Sequence, residues 1–197
     1  MPIAIWYVIW FLIWGIFNTR FNWKIAKTKK EKYYQTSFFF LLSSIAVYFI
    51  FENFLSKSIE PILLGFIITV GLGIFFSDYY PYYKHIKNGK YFLVSLAFDI
   101  LLQQVMVVAG IKILNQYFGM NYNNLYFGVM FSAGHLPVIF LKWAKLRYFY
   151  LVLTFLGGIG FSFLINEIGG VGILISFLLH YSLYIPMFYY LQDERKI

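Results

Sequence analysis

Three short stretches of this chain place reactive side chains where reactive side chains are rare. The stretch FDILLQQ carries Asp99, Gln103 and Gln104; FSAGH carries Phe131 and His135; SFLLHYSLY carries His180 and Tyr184. An imidazole can bind a metal ion or carry a proton, and a carboxylate can act as a base or an ion ligand. Two histidines with a carboxylate approach the donor set of a hydrolytic metal centre, in which zinc activates water. Glutamine is a weaker substitute on both counts, since it takes no proton at useful pKa and brings no charge to an ion. The chain has no cysteine, which excludes disulfides, thiol nucleophiles and thiolate metal sites. No convincing serine-nucleophile motif lies within an apolar run.

The elements that must hold these groups are apolar. Of 197 residues, 61% are hydrophobic, 24% aromatic and 12% charged, against roughly 25% charged in an average globular chain. Mean hydropathy is +0.70. A soluble domain of this size cannot hide that much apolar surface, so the composition predicts an all-α, polytopic transmembrane bundle. Seven segments follow from the apolar runs: 3–17, 38–54, 62–76, 91–114, 125–141, 148–165 and 169–190. No linker or repeat interrupts them, so residues 1–197 read as one domain. It comprises three N-terminal spans (residues 1–90) and a C-terminal core (91–190).

Charge tests this division. Residues 18–37 hold Arg20, Lys24, Lys27, Lys29, Lys30 and Lys32; the third connection holds Lys84, Lys87 and Lys90; the fifth holds Lys142, Lys145 and Arg147; the tail holds Arg195 and Lys196. These account for fourteen of the 16 Lys and Arg. The other side has only Lys57, with Lys112 near a helix end where it can snorkel. The alternation predicts the N-terminus outside and the C-terminus in the cytoplasm. The net charge of +8 then belongs to basic loops beside anionic lipid, and no nucleic-acid partner is expected. The first segment lacks a basic region before it and reads as a retained helix rather than a cleaved signal.

Depth links the polar groups. Gln103 and Gln104 lie roughly 20 Å from the inner end of their span, His135 roughly 15 Å from its outer end, and His180 roughly 16 Å from its outer end, at ~1.5 Å per residue. All fall within one or two turns of one level, which predicts a common cavity; Asp99 and Gln103 share a helical face. Polar residues in a span also serve packing by bonding across a helix pair. Ser43, Ser44 and Thr69 are expected to bond back to their own helices. Gly157, Gly158, Gly160, Gly169, Gly170 and Gly172 read as sites of close helix approach or tight turns.

The ordered set resembles the CPBP family, also called Abi or CAAX-protease-like, of intramembrane metalloproteases. FSAGH, Phe131 to His135, matches the family's FxxxH motif, followed by Leu136-Pro137. His180 resembles its last motif histidine, and Gln103-Gln104 stand where its paired glutamates should be. The likeness covers about half the chain, residues 90–190. The resemblance implies a four-helix core, water activated by glutamates and histidines with a divalent metal such as zinc, and His135 and His180 as metal ligands. It also implies a membrane-inserted peptide or lipidated substrate as partner. The departures fall on the chemistry: both glutamates are glutamines, the motif arginine is Val108, and the fourth residue after His180 is Tyr184 rather than Asn. The expected function is therefore a pseudoprotease, or a membrane peptide- or lipid-binding partner. Two alternatives stand beside it. One is an active divergent metalloprotease of the CAAX or bacteriocin-processing type with Asp99 as base; the other is a small transporter-like protein whose polar residues line a path.

Overall fold

The computed structural model describes residues 2–20, 30–76, 89–119, 123–137 and 147–193, and these are helical apart from turns. The helices are α1 (Pro2–Arg20), α2 (Lys30–Ile50), α3 (Glu52–Leu55), α4 (Ile59–Phe76), α5 (Gly89–Phe118), α6 (Asn123–Gly134), α7 (Arg147–Ile168) and α8 (Gly170–Asp193). A single 3-10 turn, Ser56–Ser58, joins α3 to α4. Helix is the expected answer to this composition, because it satisfies backbone hydrogen bonds within each segment where water is absent.

Four helical stretches are long and apolar enough to cross a membrane: Tyr33–Ile50, Glu52–Phe76, Tyr91–Phe118 and Tyr148–Ile168. Pro2–Phe17 and Gly170–Leu183 are shorter apolar helices. The fifth expected segment, 125–141, is described only to residue 137. Its helix ends at Gly134.

Burial sorts the helices. In α5, 89% of the apolar window lies inside the protein, against 33%, 22% and 28% in the other three long stretches. Helix α5 is therefore the axis, and its neighbours wrap it with one face in and one out. Val8, Leu12, Phe38, Phe49, Ile67, Phe75, Val152 and Leu156 are large apolar residues on the exposed faces. That pattern suits a helix whose outer side meets lipid.

Specific contacts give the directions. Tyr7 Oη donates to the Met130 carbonyl and Trp10 Nε1 to that of Gly134, so α1 runs along α6. Helix α2 starts beside the start of α5, where Ser95 Oγ donates to Tyr33 O at 3.5 Å and the Tyr34 and Tyr91 rings meet. Helix α4 runs against α5: Phe66 meets Phe98, and Gly73 lies on the Leu93 backbone. Helix α7 runs against α6, with Ser132 Oγ on the Leu151 carbonyl and Asn166 near Asn124. Helix α8 runs against α5, through Tyr181 on Leu93 and Ser176 on Gln104.

One glycine sets a close approach and another a turn. A Cβ at Gly158 would come 2.9 Å from Gly128 Cα and 3.0 Å from Phe131 Cβ, so α6 and α7 touch backbone to backbone there. Gly169 has φ +63, the left-handed turn that separates α7 from α8. Gly157 and Gly160, also expected at close approaches, face open space. Ser44 and Thr69 do bond back to their own helices, at 2.7 and 2.9 Å.

Candidate polar site within the bundle

Adjacent positions on a helix point about 100° apart, and this separates Gln103 from Gln104. Gln104 turns toward α8, where its side-chain amide lies 3.3 Å from His180 Nδ1. Ser176, one turn before His180, reaches the same amide: its Oγ is 3.3 Å from Gln104 Oε1 and 2.8 Å from the Ile173 carbonyl. One hydroxyl proton serves only one of these acceptors. If it goes to Ile173, an amide rotated by 180° satisfies every member of the chain, with N–H donated to Ser176 Oγ and oxygen accepting from His180 Nδ1–H. In either orientation Gln104 is a neutral hydrogen-bond partner.

Gln103 turns the other way. Its Nε2 donates at 2.8 Å to Asp99 Oδ1, one turn earlier on α5. Gln103 and Gln104 are fully buried and Asp99 is 5% exposed. The structure thus pairs Asp99 with Gln103 along α5, and pairs Gln104 with His180 across α5 and α8.

His135 sits just beyond the end of α6. Its Nδ1 is 2.7 Å from the Phe131 carbonyl, and because a carbonyl only accepts, Nδ1 carries the proton and Nε2 holds the lone pair. Three aromatic rings surround it: Phe131 at 4.6 Å, Trp10 at 5.4 Å and Tyr150 at 5.7 Å between centroids. The Phe131 ring also meets His180, at 6.2 Å, and Phe161 meets His180 at 5.0 Å. Phe131, first residue of the FxxxH stretch, is thus the contact shared by both histidines. Both are buried, so neither faces lipid. The side chain of Tyr184 lies outside the described residues. Val108, at the position of the motif arginine, is a fully buried core residue.

The donor set decides what this arrangement can hold. Among the described residues no group of three or more His, Cys, Asp or Glu side chains comes together. His135 and His180 offer two imidazoles, and the buried carboxylate of the same helix system is committed to Gln103. That set lacks the third protein ligand and the anionic charge that a catalytic zinc site uses, so the residues do not fit the zinc centre that the family resemblance implies.

Several participants escaped the sequence reading. Ser176 was legible as the i−4 neighbour of His180, on the same helical face. Trp10 was not, because nothing in α1 indicates that its indole would seat against His135. A third group lies at the far end of α5: Asn123 Nδ2 donates to Asn115 Oδ1, Asn115 Nδ2 to Asn166 Oδ1 at 2.8 Å, and Asn166 Nδ2 to Asn124 Oδ1 and Ser162 Oγ. Asn123, which falls between the fourth and fifth apolar runs of the sequence, is 1% exposed as a result.

No family model, no curated protein and no solved structure matches this chain.

Proposed function

We propose that the chain is a seven-span membrane protein, N-terminus outside, with a CPBP-like core in residues 91–190 whose polar site binds a peptide and does not cut it. The Gln104–His180 contact carries this reading. It joins the position of the family's acidic motif to that of its last histidine, with an amide where hydrolysis requires an acid. The amide can orient the imidazole and cannot take a proton from water. The alternating helix directions and the charge asymmetry support seven crossings.

The ligand that suits the site is a membrane-inserted or lipid-modified peptide, because the histidines are lined by Phe131, Phe161, Trp10 and Tyr150 rather than by charge. Reconstituted protein is to be incubated with zinc and photo-crosslinkable prenylated and bacteriocin-leader-like peptides. Crosslinking without cleavage is expected, with crosslinks reduced in Phe131→Ala. A positioned base typically contributes ~10²–10⁴ in rate, so cleavage should stay at background. Cleavage that disappears in His135→Ala overturns the reading and promotes Asp99 to base.

A further inference from the structure

The peptide unit that joins Gly134 to His135 is held at both ends. Its N–H, on His135, donates at 2.9 Å to the Ser132 carbonyl. Its carbonyl, on Gly134, accepts at 3.0 Å from Trp10 Nε1 of α1. Gly134 is the last residue of α6, so its carbonyl is one of those that a helix leaves without a ladder partner. A peptide unit is planar, and fixing both of its ends fixes the direction in which the next Cα sends its side chain. That side chain is the His135 imidazole.

The same indole touches the imidazole itself. The Trp10 and His135 rings lie 5.4 Å apart at 60°, while His135 Nδ1 turns back on the Phe131 carbonyl. The glycine is part of this fit. A Cβ at Gly134 would come 3.2 Å from Trp10 Nε1 and 3.6 and 3.7 Å from two carbons of the indole, so a methyl there would crowd the indole on its acceptor. Trp10 is 3% exposed, and α1 is pinned one turn before it. Tyr7 Oη donates to Met130 O at 2.9 Å, Trp6 Nε1 donates to Met106 O at 2.7 Å, and the Trp6 ring stacks on that of Trp10.

We propose that Trp10 is a positioning residue for the polar site. It acts through His135: it sets the direction of the ring and holds the tautomer with the proton on Nδ1, so that Nε2 is the atom offered to a ligand. Which ring nitrogen carries the proton is decided by the hydrogen bond the other nitrogen is left to make, and a ring free to turn would lose the bond to Phe131 O that selects Nδ1. The site then depends on α1, which lies outside residues 91–190. For its ligand this inference rests on the peptide-binding reading; the effect of Trp10 on His135 stands apart from what binds.

The test is nitrogen-15 NMR of the full chain, labelled at histidine and held in nanodiscs, with His135→Gln to assign the signals. The parent should show His135 with its proton on Nδ1 alone. Trp10→Leu removes both the ring contact and the N–H; Trp10→Phe keeps a ring and removes only the donor, so it reads the proposal even if Trp10→Leu fails to fold. In both variants a share of His135 should carry its proton on Nε2, the larger share in Trp10→Leu. The tautomer of His180 should not change, because its partner Gln104 belongs to α5; general loosening of the bundle would move both histidines. Peptide crosslinking should fall about fivefold in Trp10→Phe, as loss of one net hydrogen bond does. An unchanged His135 tautomer in a folded Trp10→Phe, equal changes at His135 and His180, or parental crosslinking that Trp10→Phe keeps in full would each overturn the proposal. A tautomer change at His135 alone, with no crosslinking even in the parent, supports the role of Trp10 and overturns the peptide reading instead.

Discussion

The contact between Gln104 and His180 joins two residues 76 positions apart in sequence, and its energetic weight is open to direct measurement. Removing the amide takes a partner from His180 Nδ1 in a dry interior, while removing both side chains takes the contact away as a whole. Gln104→Leu and His180→Phe should therefore each destabilise the protein, and the double variant should cost less than their sum. Side-chain hydrogen bonds within membrane bundles average about 0.6 kcal/mol in such cycles and reach about 1.7. A coupling of about 0.5–1.5 kcal/mol in a denaturant titration in micelles is expected, and strict additivity would show that the contact contributes nothing. The depth of these residues was legible from span position alone. Which glutamine meets the histidine was not, because QQ is symmetrical as text and only the angular setting of α5 breaks the symmetry.

Among the elements, the α6–α7 crossing positions the site, since it fixes Phe131, which touches both histidines. The stretch Gly157-Gly158-Ile159-Gly160 reads as a run of interchangeable small residues. A glycine matters only where another backbone faces it, and α6 brings Gly128 to Gly158 alone. Gly158→Ala would force its new methyl against Gly128 and the root of Phe131, neither of which can swing away. A destabilisation of about 1–3 kcal/mol is expected, the usual cost of overpacking, together with weaker peptide crosslinking as Phe131 is displaced. Gly157→Ala meets open space and should stay within about 0.5 kcal/mol of the parent, as surface substitutions do. Similar losses for the two variants in thermal denaturation would mean that the crossing does not depend on this close approach. Helix α1 illustrates the opposite limit of legibility. Its apolar character was plain, but nothing in the sequence says which way its tryptophans face, whereas the structure stacks Trp6 on Trp10 at 5.4 Å and turns both inward. Their N–H groups find carbonyls of α5 and α6, which a lipid-facing indole would lack.

For the whole molecule, the charge distribution and the helix directions bear on topology separately. Lysines and arginines gather on alternate connections, and the contacts of α4, α5, α7 and α8 alternate in direction without reference to charge. If both reflect one orientation, the end of α5 and the turn between α3 and α4 lie on the same, outer side. Gln116 and Lys57 are exposed there, whereas Asn123 is sealed by the asparagine network and would be a poor reporter. The asparagines read as loop residues because they favour turns; they are buried because their carboxamides bond one another, with Asn123 Oδ1 alone of the network lacking a partner among the described residues. The absence of native cysteine makes single-cysteine scanning clean. Gln116→Cys and Lys57→Cys should react with an impermeant maleimide on intact cells. Lys29→Cys, Lys145→Cys and Lys196→Cys should react only after permeabilisation. Moving cations tests the cause: replacing Lys27, Lys29 and Lys30 with Gln while adding three Lys near Gln116 weakens the bias that orients the chain. That variant should show mixed labelling at Lys145→Cys, and fully protected Lys145→Cys would mean that helix packing rather than charge sets the orientation.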